Sequence, residues 1–105
     1  MIIEVDLTHG TPSVKLIDPD DCKRFHLAVR SGDVAALSAV LQEHGLGASM
    51  PSGDVMISVA AVKRLAQGRV EAGWDERLCA MVGYAEGKGW FDRTTGSLQP
   101  HVEWQ

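Results

Sequence analysis

The spacing of apolar residues along this chain switches between two and roughly 3.6, and each switch marks an element boundary. Ile3, Val5 and Leu7 alternate with Glu4 and Asp6, the period of a strand buried on one face. Thr8 to Pro12 reads as a turn, and Ser13 to Ile17 as the returning arm of a hairpin. Asp18-Pro19-Asp20-Asp21 closes that arm as a loop, and Phe25, Leu27 and Val29 alternate again as a third strand. Ser31-Gly32-Asp33 then opens a helix with the stripe Val34, Leu37, Val40 and Leu41, ended by His44 and Gly45. A polar stretch, Gly47 to Gly53, reads as a loop leading to the short apolar strand Val55-Met56-Ile57.

The richest stretch runs from Asp54 to Trp104. Ser58 stands where an N-cap belongs, its hydroxyl able to accept from a free N–H of the first turn. Val59, Val62, Leu65 and Ala66 follow at helical spacing, Lys63 and Arg64 suit the negative helix end, and Gly68 closes it. A third helix is expected from Asp75 as N-cap, with Trp74 stapled onto Cys79 and a core stripe of Leu78, Met81, Val82 and Ala85. Gly83 inside that stripe predicts close packing. Beyond Gly87 and Gly89 the period returns to two. Leu98, Pro100, Val102 and Trp104 share one side, and Gln99, His101 and Glu103 the other. Trp90-Phe91 and this tail predict a closing hairpin, with Pro100 at an edge or bulge.

The expected order is β-β-β-α-β-α-α-β-β in one α+β domain spanning residues 1–105. It implies an antiparallel sheet, built from the N-terminal hairpin and strand and the C-terminal hairpin, with about three helices. From Asp33 onward the element order, and the junction YAEGKGWF before a Gly-containing hairpin, resemble a winged helix. That resemblance implies a third helix in the DNA major groove, with basic residues there and in the wing on phosphates. The matching helix, Asp75 to Glu86, instead holds Asp75, Glu76 and Glu86 against Arg77, three acids less one base, or −2. Lys63, Arg64 and Arg69 form the basic cluster, and Arg93 is the cation of the wing; these four are the candidate nucleic-acid residues.

Composition narrows the function further. A length of 105 residues with 45% apolar and 23% charged residues belongs to a globular chain with a modest core. The net charge of −4 disfavours a general polyanion binder, so nucleic acid is not the expected partner. No apolar run approaches the roughly 20 residues of a bilayer helix, and MIIEVDL lacks a basic leader region. A cytoplasmic setting without a membrane is therefore expected. The absence of Asn and the excess of Arg over Lys hint at a GC-rich bacterial genome. Cys22 and Cys79 lack any paired-motif spacing and read as reduced thiols, Cys79 as a buried, inert one.

Candidate chemistry is sparse. His9, His26, His44 and His101 lie on different elements, and Cys22 with His26 straddles a loop–strand boundary, so no metal is expected. Asp18, Asp20 and Asp21 open like a calcium loop, yet its twelfth position is Val29 rather than Glu. Gly83 to Gly89 is one residue short of a phosphate loop and ends a helix instead of starting one. No cofactor is expected. What remains is a non-catalytic module that binds a protein partner or itself, with Trp90, Phe91, His101 and Trp104 as contact residues. The alternatives are a degenerate winged-helix regulator, and a small ligand-binding protein or enzyme using His26 or His101.

Overall fold

The computed structural model describes residues 1–8, 11–50 and 54–104. The turn expected around His9 and the end of the expected loop at 51–53 lie outside the described residues. The strands are β1 (Ile2–Asp6), β2 (Ser13–Ile17), β3 (His26–Arg30), β4 (Gly47–Ser49), β5 (Val55–Ser58), β6 (Phe91–Asp92), β7 (Ser97–Leu98) and β8 (His101–Trp104). Three helices, α1 (Val34–Glu43), α2 (Val59–Ala66) and α3 (Trp74–Gly87), complete an α+β architecture.

The strands divide between two sheets rather than sharing the single antiparallel sheet expected. The first has the order β2-β1-β3-β8, with β1 antiparallel to β2 but β3 parallel to both β1 and β8. The second has the order β4-β5-β7-β6 and is antiparallel throughout. Two departures from the expected element order follow. Gly47–Ser49 is a strand paired to β5, not a loop. The tail expected as one strand is two, because β7 pairs in the second sheet and β8 in the first. Between them Pro100 lacks the N–H that would continue the β5–β7 ladder, and the chain changes partner there.

Local chemistry accounts for most helix ends. The Asp33 carboxylate accepts from Ala36 N–H at 2.9 Å, and the Ser58 hydroxyl accepts from Ala61 N–H at 3.3 Å. The N-cap of α3 lies two residues earlier than expected. It is Gly73 in the left-handed region, with no side-chain cap, and Asp75 and Glu76 face the positive helix end from the first turn. Trp74 is therefore the first helical residue instead of a staple onto Cys79. It is buried, and its indole N–H donates to the Pro19 carbonyl at 2.6 Å.

One contiguous core draws on both sheets and every helix. Ile3, Val5, Leu16, Leu27 and Val29 come from the first sheet, and Val55 and Ile57 from the second. Leu37 and Leu41, Val62 and Leu78 come from the helices. Cys79 is exposed rather than buried, and both cysteines are free thiols. Gly83 does not pack closely either, since a Cβ built on it meets nothing within 4 Å. Gly83→Ala should therefore stabilise the protein by about 0.5–1 kcal/mol, read as a raised midpoint in urea at unchanged slope.

Candidate functional site

The parallel pairing of β3 and β8 sets His26 opposite His101, Leu27 opposite Val102, Ala28 opposite Glu103 and Val29 opposite Trp104. Because strand side chains alternate, His26, His101 and Glu103 share the outer face of the first sheet, and Val102 and Trp104 the core-side face. The His26 Nε2 atom lies 3.9 Å from the Glu103 carboxylate. Among the described residues no group of three or more His, Cys, Asp or Glu is placed to hold a metal ion.

At the start of β8 lies a cleft of about 430 Å³. Phe25, Trp90, Pro100 and Val102 supply apolar walls, while Asp54, Gln99 and His101 supply polar ones. Phe25, Trp90 and Gln99 also border a second hollow that continues past Met81 and Tyr84 toward Lys23. Lys23, Met81 and Tyr84 in turn line a third, which reaches Cys22 and Arg77. The three form one groove, running from the edge of the first sheet along the exposed side of α3.

The groove is rich in uncovered aromatic surface. Tyr84 is 63% exposed and Trp90 46%, fractions well above those of core aromatics; Trp104, outside the groove at the end of β8, is 48% exposed. Tyr84 and Trp90 meet edge to face with centroids 6.3 Å apart, and the Lys88 ammonium lies 5.6 Å from the Tyr84 ring centre. These contacts hold the rings in place without burying them. Burial pushes the Cys22 thiol up, and nearby Arg77 opposes the shift, so this cysteine is disfavoured as a thiolate.

Of the four expected contact residues, Trp90 and His101 share the cleft, and Trp104 lies on the same strand as His101. Phe91 is half-buried in β6. Phe25, Tyr84, Met81 and Asp54 belong to the groove and were missed from the sequence. The spacing of Met81, Tyr84 and Lys88, three and four residues apart along α3 with Tyr84 and Lys88 beside its core stripe, was the available signal.

The basic residues are dispersed and committed elsewhere. Arg64 donates to the His44 carbonyl at 2.9 Å and Arg69 to the Leu16 carbonyl at 2.7 Å. Arg93 makes a two-pronged pair with Glu86 and holds that carboxyl below its ordinary range, chiefly by donating hydrogen bonds to it. Lys63 is exposed. No helix among the described residues is long and apolar enough to cross a membrane. No protein-family model, no curated protein and no solved structure matches the chain.

Proposed function

We propose that the protein is a non-catalytic interaction module, whose docking surface is the aromatic groove around Trp90 together with the adjoining edge of β8. The observation that carries this reading is the gathering of exposed Trp90 and Tyr84 beside half-buried Phe25 along one groove. Rigid aromatic rings around a cleft supply the large contact area and low ordering cost that binding anchors need. A sheet edge next to them adds backbone donors and acceptors for an extended segment.

Panning a library of displayed peptides against the intact chain tests the reading. Selected peptides should lose at least about tenfold in affinity to the Trp90→Ala variant, whose thermal midpoint stays close to that of the parent because the ring is half exposed. Binders indifferent to Trp90, or none at all, would overturn it.

A second reading, a winged-helix regulator of DNA, is supported by the strand order β5-β7-β6, with α1 ahead of β5 and α2 and α3 between β5 and β6 along the chain. The acidic α3 and the occupied guanidiniums of Arg64, Arg69 and Arg93 weigh against it. Filter retention of duplex DNA at low salt separates the two.

A further inference from the structure

We infer that the free edge of β8 pairs with the same strand of a second copy, antiparallel about Val102, so that two four-stranded sheets join into one of eight. This rests on the interaction-module reading and names its partner.

Backbone hydrogen bonds show which groups point outward. His26 N–H donates to the Met1 carbonyl and Leu7 N–H to the Arg30 carbonyl, so the even-numbered peptides of β3 face β1. Leu27 and Val29 therefore face β8, and across that parallel ladder they engage His101 and Glu103. Val102 and Trp104 then present N–H and C=O groups to the free side. The opposite edge obeys the same alternation, but there Arg69 already donates to the outward carbonyl of Leu16. The edges of the second sheet are strands of only three and two residues, β4 and β6. The edge of β8 is left open among the described residues, and sheet proteins manage such an edge by pairing or blunting it.

A two-fold axis at Val102 makes the strand complementary to itself. Each Val102 would exchange N–H and C=O with its counterpart. Each Trp104 N–H would meet the other copy's Pro100 carbonyl, the one position where the partner's missing N–H costs only a single bond. On the outer face every His101 would stand opposite a Glu103, a pairing of compatible charge and hydrogen-bonding character. On the core-side face every Trp104, 48% exposed in one copy, would be carried to the mouth of the other's cleft, against Pro100 and Trp90. An aromatic anchor entering a preformed cleft is what distinguishes a binding edge from a merely blunted one.

Sedimentation equilibrium across concentration, with isotope-filtered NMR on mixed labelled and unlabelled chains, tests this. The expected results are a species of twice the 11.3 kDa chain and an intermolecular contact between the Hα atoms of His101 and Glu103. Glu103→Lys and Trp104→Ala should each weaken association at least tenfold with far-UV circular dichroism unchanged. The double variant His101→Glu, Glu103→Lys should restore it. A chain that stays monomeric at millimolar concentration, or a dimer insensitive to these changes, overturns the inference. If such a monomer still binds selected peptides through Trp90, the interaction-module reading survives; if it does not, both fall.

Discussion

Gly47→Ala should be among the most damaging single substitutions in this protein, although it adds only one methyl group to a residue at the surface of a short strand. The Cβ would overlap the Met56 carbonyl oxygen, with the carbonyl carbon at 2.9 Å and Ile57 Cα at 3.1 Å. All three atoms are backbone of β5, whose Val55 and Ile57 are fixed in the core. Neither strand can retreat without breaking the β4–β5 ladder, and β4 has only three residues to hold it. A cost of roughly 3 kcal/mol or more is expected, a thermal midpoint lower by about 12 °C or more for a chain of this size. Calorimetry checks it. A drop of only a degree or two would mean that β4 does not approach β5 as described.

Trp74→Ala should be comparably severe. The indole is 4% exposed within the common core, so its removal forfeits a large apolar area and leaves a cavity. A loss of about 3–5 kcal/mol is expected. Trp74→Phe divides the effect into its parts. The ring stays buried, but the Pro19 carbonyl loses its indole donor, which should cost about 1–2 kcal/mol. Urea titrations of the two variants, compared at equal slope, read both values. If Phe and Ala were equally destabilising, the hydrogen bond to the 18–21 loop would matter more than packing.

What could be read from the sequence were features decided within a few residues. Ser58 was recognisable as a cap, and Asp33 as part of the opening of α1, because a capping oxygen bonds only three residues ahead; Asp75, also expected as a cap, falls inside α3 instead. The stripes of α1 and α3 were largely legible for the same reason, since helical periodicity is local, although Val34 is exposed and only Leu37, Val40 and Leu41 of the α1 stripe are buried. Strand partners are not local. Parallel β1–β3–β8 pairing links Ile2, His26 and His101, and nothing in their spacing announces it. The tail shows this most clearly. Alternation runs unbroken from Leu98 to Trp104 because the chain stays extended, so it registers two strands of different sheets as one. Pro100 was visible as a ladder breaker, but not as the point where one sheet hands over to the other. β4 was missed because Gly-Ala-Ser has no apolar alternation, its identity being set by how closely it approaches Met56.

The candidate site was legible in part. Trp90, His101 and Trp104 were selected as aromatic or polar residues of an edge-like tail, and two of them line the cleft. Phe25 and Tyr84 were not, because Phe25 resembled an ordinary core position of β3 and Tyr84 sits beside, not within, the stripe of α3. Cys79 failed in the opposite sense. It neighbours Leu78 in sequence, but the 100° step per residue turns it to solvent.

The shared direction of β1, β3 and β8 also governs how the molecule bears tension. Force applied ahead of β1 and behind β8 draws these two strands, which flank β3, in opposite senses along their own axes. The load then falls on whole ladders in shear, many bonds at once, instead of peeling them one at a time. The four residue pairs of β3–β8 form the shorter of these ladders, against five for β1–β3, so that seam is expected to yield before the other.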